Sequence, residues 1–168
     1  MTTTKQSAVA EQEARTGKLR EALAGARRAL NLVLLYEDTA TRKWAGEAAE
    51  WVQQLAGDNP VRPMWWKLDN LSEPAVLAGA VSTSRQADVI IVCTLASEGL
   101  PLPFYVWVHE WVRHRPRKGG ALVALLGLPE RARPSLGRVR EYLRAVAGQA
   151  RMVFVAKERR LRAAENEV

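Results

Sequence analysis

Three short apolar runs, separated by stretches with a helical period, constrain this chain more than any other feature. LNLVLLY (30–36), ADVIIVCTL (87–95) and ALVALLG (121–127) are nearly unbroken hydrophobic segments of strand length. A strand with one wet face alternates apolar and polar residues. A strand covered on both faces reads as a continuous apolar run, which implies a sheet between two helical layers. Between these runs the period changes. In TRKWAGEAAEWVQQLAG (41–57), Trp44, Ala48, Trp51, Val52 and Leu55 share one helical face. Residues 103–114 repeat the pattern with Phe104, Trp107, Val108, Trp111 and Val112, and the segment from Ser135 does so with Leu136, Val139, Leu143 and Val146.

Two further strands complete the set. PMWWKLDN (63–70) is opened by Pro63 and interrupted by Lys67, which suits a sheet edge. RMVFVAK (151–157) reads as the fifth strand. Ser72, ahead of Glu73 and Pro74, is placed to cap a helix running to about Gln86. Strands alternating with helices at this spacing form parallel βαβ units. The expectation is an α/β three-layer sandwich with a five-stranded parallel sheet of flavodoxin-like or receiver-like order 2-1-3-4-5. Residues 1–29 then form a helical or disordered extension, 30–160 the α/β domain and 161–168 a short tail. The C-terminal ERRLRAAENEV supports at best a short helix, leaving one sheet face under-covered. The helix-prone segment 7–30, though weakened by Gly17 and Gly25, is expected to pack there.

Composition narrows the setting. A 48% hydrophobic fraction with six Trp supplies a sizeable core. The single Cys93 permits no intrachain disulfide, and no apolar run approaches the roughly 18 residues needed to span a bilayer. The first 28 residues are dotted with charge and do not resemble a signal peptide. A cytoplasmic location is the expectation. The formal charge of +7 is unevenly distributed: residues 1–84 carry ten Lys+Arg against ten Asp+Glu, and residues 85–168 fifteen against eight. The excess lies in RHRPRK (113–118), RARPSLGRVR (131–140) and KERRLR (157–162). Such asymmetry marks surfaces for nucleic acid, acidic protein or anionic lipid. Nineteen of the twenty-five basic residues are Arg, however, and a GC-rich genome accounts equally well for the bias.

In a doubly wound sheet, ligands bind beyond the carboxyl ends of the strands where strand order reverses, here between strands one and three. The residues at the strand ends are Glu37, Asp38 and Thr39; Cys93, Thr94, Ser97 and Glu98; Gly127 and Glu130; and Lys157. Glu37, Asp38, Thr39, Thr94, Glu98 and Lys157 make up the candidate ligand or metal crevice. Two adjacent carboxylates at this point hold a metal ion or cap the next helix, since Asp and Thr are preferred N-caps. HEWVRH (109–114) fails as a zinc motif, because the residue four after His109 is Arg113 and His114 falls on another part of the helix. Cys93, in the most apolar strand and without a His partner, reads as a buried inert thiol. No glycine-rich dinucleotide or P-loop pattern is present. The two carboxylates also disfavour a flavin phosphate after strand one.

The acidic pair after strand one and the Lys closing strand five resemble the receiver domain of bacterial response regulators. The YED strand end, Trp-containing second strand, ADVI third strand and loop-Pro-helix with Trp are also similar to poorly characterised bacterial proteins of flavodoxin-like or receiver-like type. The receiver resemblance implies Mg²⁺ at Glu37 and Asp38, an acceptor Asp ending strand three, a Ser or Thr ending strand four, and Lys157 pairing with the phosphate. The chain departs from that pattern at two points. Cys93 and Thr94 stand at the acceptor position, and strand four ends in Leu126 and Gly127. Without the acceptor no aspartyl-phosphate forms. The implied function is a non-catalytic, receiver-like protein-interaction or regulatory module, docking a protein partner or forming a homodimer. By the same resemblance, the surface to test carries Arg138, Arg140, Glu141 and Arg144. Two alternatives stay open: nucleic-acid or polyanion binding through the basic second half, and a small-molecule or metal-dependent enzyme at the strand-end crevice.

Overall fold

Five parallel strands form one sheet in the order β2-β1-β3-β4-β5. The strands are β1 (Leu30–Tyr36), β2 (Val61–Lys67), β3 (Val89–Leu95), β4 (Ala121–Leu128) and β5 (Val153–Arg160). The helices are α1 (Thr3–Leu23), α2 (Thr39–Ala56), α3 (Pro74–Arg85), α4 (Leu102–Arg113) and α5 (Leu136–Ala150). The computed structural model describes residues 3–23, 28–95, 100–116, 119–128 and 136–161.

The unbroken apolar runs are explained by two cores. On one face, Leu30, Leu32 and Leu34 of β1 and Val89 and Ile91 of β3 pack under α1 and α2. On the other, Val33 and Leu35 of β1, Ile90 and Val92 of β3 and Leu122 and Ala124 of β4 pack under the layer of α3, α4 and α5. Every residue from Ala121 to Gly127 is buried, because β4 has helices above and below it. Trp107 lies at the centre of the second layer, its indole N–H donating to the Ala80 carbonyl and the Ser84 hydroxyl. That bonding lets a large ring with a polar atom lie fully buried.

The N-terminal helix belongs to the fold. Leu19 is 0% exposed and Leu23 5%, and both join the core beneath α2 and beside β5. α1 therefore covers the sheet face beside β5, next to α2.

Three element boundaries differ from the sequence reading. β2 runs from Val61 to Lys67 and gives way to a 3₁₀ turn, Leu68–Ser72, which buries Leu68 and Leu71. Ser72 does not cap α3. Its hydroxyl donates back to the Asp69 carbonyl, and Glu73 takes the cap position without a side-chain bond, ahead of Pro74 in the first turn. β5 extends to Arg160, three residues past Lys157, because its pairing with β4 continues to Leu128 opposite Arg160. An edge strand can carry Glu158, Arg159 and Arg160 in water while its backbone stays paired on the inner side, and charge there discourages further strand addition.

Candidate functional site

Glu37 leaves β1 toward the α3–α4 side of the sheet, where its carboxylate accepts a hydrogen bond from the Thr94 hydroxyl. Thr94 is 1% exposed. Burial pushes the Glu37 carboxyl above its ordinary range. Hydrogen bonds from the Thr94 hydroxyl and the Leu95 amide partly offset this, while the charges of Asp38 and Asp69 add to it. Asp69 enters from the turn after β2. Three carboxylates thus approach the switch point, and the field there is negative.

Asp38 performs a different task. It is the N-cap of α2, its Oδ1 accepting the Thr41 amide at 2.8 Å. The buried Thr41 hydroxyl returns the contact, accepting the amides of Glu37 and Asp38 at 2.9 and 2.8 Å and lying 2.9 Å from Asp38 Oδ1. This is a capping box with Thr in the place usually held by Glu or Gln. Thr39 is exposed at the first position of α2. Mg²⁺ is commonly held by one or two carboxylates with waters and phosphate completing the shell. Here each carboxylate of the pair is already held by protein donors. Among the described residues, no group of three or more His, Cys, Asp or Glu is placed to hold a metal ion.

Lys157 stands apart from this cluster. It shares a sheet face with Val155, and its ammonium lies 4.5 Å from the centroid of Trp51 on α2. Its pKa is lowered by burial, with the cations of Arg15 and Arg159 adding to the effect. Nearer the strand end, Arg159 pairs with Glu47 at 2.8 Å and lies over Trp44 at 4.9 Å. Glu98 lies outside the described residues, as do Ser97 and Glu130. The structure therefore brings together Glu37, Asp38 and Thr94, and it separates them from Lys157.

Cys93 is 1% exposed, and burial, with like charge from Asp38 and Glu37, drives its thiol pKa far upward, so it stays a neutral thiol. His109 and His114 are both exposed. Trp65 and Trp66 point to opposite sides of β2, and each is half-buried. Trp65 meets Tyr36 edge-on, with the Arg42 guanidinium over both rings at 5.5 and 5.6 Å. Trp66 packs against α3 at Gly79.

The basic second half is in part structural. Arg115, inside the RHRPRK run, donates to the carbonyls of Ser84, Ala87 and Gly119 at 2.9, 2.7 and 2.8 Å. It ties the ends of α3 and α4 to the turn before β4. Nothing in the sequence pattern separates this residue from its neighbours, because its partners are backbone carbonyls, two of them about thirty residues back along the chain. Arg140 pairs with Glu158 at 3.3 Å. Arg144 pairs with Glu141 at 3.6 Å and lies over Phe154 at 5.4 Å. Arg138 is exposed.

The large apolar side chains left in water cluster elsewhere. Leu102 is 74% exposed, Tyr105 38% and Val106 39%, at i, i+3 and i+4 on the first turns of α4. Met64, on the edge strand β2, is 43% exposed. The Tyr105 ring contacts Tyr142 of α5 at 5.0 Å, which makes the α4 patch continuous with the charged α5 row.

No family model matches the chain, and no curated protein does. Among solved structures it is similar to an oxidoreductase from Corynebacterium diphtheriae, with a TM-score of 0.52 and 14% identity over 84% of this chain and 85% of that one. It is also similar to the Trp repressor binding protein from Bacillus subtilis, with a TM-score of 0.48 and 11% identity over 77% and 84% of the two chains. At such identity the first likeness speaks for the α/β fold alone, and the second carries no argument.

Proposed function

We propose that this chain is a non-catalytic, receiver-like protein-interaction module that docks a second copy of itself through the α4–α5 face. The observation that carries the reading is the exposed Leu102, Tyr105 and Val106 patch. A helix in a well-packed layer has no structural reason to leave three large apolar side chains together in water, and such patches mark interaction surfaces. The row beside it argues for a like partner. Arg138, Glu141 and Arg144 alternate in sign along exposed α5, so two copies related by a twofold axis can set Arg against Glu in both directions. The strand-end chemistry supports the non-catalytic part. Thr94 occupies the acceptor region and is bonded to Glu37, and Lys157 is directed away to Trp51. Polyanion binding has less support, because Arg115, Arg140, Arg144 and Arg159 already hold partners within the protein.

Sedimentation velocity across the micromolar range tests the proposal. The expected result is a concentration-dependent dimer that Val106→Asp converts to monomer with its thermal melt unchanged. Arg144→Glu should weaken the dimer, and adding Glu141→Arg should restore it. A wild-type chain that stays monomeric throughout, or a dimer indifferent to Val106→Asp, refutes self-docking at this face.

A further inference from the structure

We infer that His109 is a pH switch on the self-docking face, placed so that protonating its imidazole parts the two copies. The inference rests on the docking proposed above and names the residue that regulates it. His109 lies three residues after Val106, four after Tyr105 and seven after Leu102, and all four side chains are exposed. On a helix that spacing makes one stripe, which His109 extends by a turn. Its Nε2 lies 3.4 Å from Nη1 of Arg113, a further turn along and also exposed. A guanidinium only donates hydrogen bonds, so the ring accepts through Nε2 and is neutral in this contact. A protonated imidazole has no lone pair to offer. It would stand as a second cation beside Arg113.

Docking magnifies that difference. An isologous contact sets residue i against residue j of the second copy, and j against i. With α4 and its copy antiparallel and the twofold axis between Tyr105 and Val106, His109 meets Leu102 of the second copy. Leu102 is 74% exposed in the single chain, so cover there removes much apolar surface from water. A neutral imidazole tolerates that cover. An imidazolium loses its water and needs a counter-charge. The groups around it do not supply one. On α4, Arg113 is a cation, and Glu110 stands three residues after Trp107, on the side that meets α3. The turn before α3 carries Asp69 and α3 itself Arg85, while α5 presents Tyr142 and the row of Arg138, Glu141 and Arg144. Among the described residues none of these acids forms an ion pair with His109, and Glu141 is paired with Arg144.

The test is sedimentation velocity of the full chain at constant ionic strength, from about pH 7.5 down to about pH 5.5, on either side of the ordinary histidine pKa of about 6.5. The dimer takes one neutral ring from each copy, so its dissociation constant should rise about 100-fold across that range, about tenfold for each ring. His109→Gln keeps an acceptor for Arg113 and cannot titrate, so its dimer should hold at both ends. His109→Lys carries a fixed charge and should be monomeric at both. His114→Gln, five residues on and off the stripe, should follow the wild type. Circular dichroism at both ends of the range checks that each variant is folded. A wild-type dimer indifferent to pH, or a pH dependence that survives His109→Gln, overturns the switch and leaves self-docking standing. A chain that is monomeric at every pH overturns both.

Discussion

Leu19→Ala is the substitution that most directly examines how this fold is closed. Leu19 is 0% exposed and, with Leu23, joins the core beside α2 and β5. Truncating a buried Leu to Ala typically costs about 2–5 kcal/mol, the larger values applying where the surroundings cannot close on the cavity. α1 packs at the margin of its layer, against β5 and α2, and can shift toward the gap, so the expected loss is in the lower part of that range, about 2–3 kcal/mol. For a chain of this size each kcal/mol moves the midpoint by about 2–4 °C, which predicts a fall of roughly 5–10 °C by calorimetry or circular dichroism. Leu23→Ala should behave similarly. The double variant should lose less than the sum, because once α1 has undocked the second deletion acts on a residue already in water. Deleting residues 1–28 sets the limit for both. A change below about 0.5 kcal/mol, the range of an ordinary surface substitution, would refute the view that α1 is an integral layer of the sandwich.

Three other predictions concern the switch point and the backbone latch. Asp38→Ala removes the α2 cap and should lower stability by about 1 kcal/mol in urea titrations, whereas Asp38→Asn, which keeps an acceptor, should lose only a fraction of that. Glu37 has a folded pKa above its unfolded value, so the folded state binds the extra proton and stability falls as pH rises from the unfolded pKa through the folded one. Glu37→Gln should therefore flatten the stability profile above about pH 4.5 and be at its greatest advantage near neutrality; an unchanged slope in pH-dependent melts would count against the assignment. Arg115→Met keeps the aliphatic stem but leaves three carbonyls without their charged donor, and should cost about 1.5–3 kcal/mol, read by chemical denaturation. Arg115→Lys should recover only part of it, because one ammonium cannot reproduce the guanidinium fork.

The strand-end residues show how far linear pattern can carry a site. Glu37 and Asp38 are adjacent and equally acidic, and nothing in LYEDTATRKW assigns them separate tasks. The structure does: Asp38 bonds within its own helix turn, a contact three residues long, and Glu37 bonds to Thr94, fifty-seven residues on. The first is local and was legible as a cap. The second depends on β1 and β3 being sheet neighbours. Lys157 was read as closing β5 because its apolar run ends there, yet the strand continues on backbone pairing with β4, which side-chain pattern does not report. The strand alternation then places Lys157 on the α1–α2 face with Trp51.

What the sequence determined by itself is the layered architecture. Runs such as VIIV and LVALL have no stable placement except between two helical layers, and the amphipathic stripes of Trp44 to Leu55 and Phe104 to Val112 supply those layers. The same alternation restricts the sheet to parallel orders joined by right-handed helical crossovers, and the structure adopts 2-1-3-4-5. Tertiary structure alone decided which charges are structural and which lie exposed. Arg115 is held by three backbone carbonyls, Arg140 by Glu158 of β5, and Arg138 is left exposed. Periodicity records whether a residue faces the core, because burial of apolar area is a one-body property of position. The partner of a charge is a two-body property, fixed only when distant segments have been brought side by side.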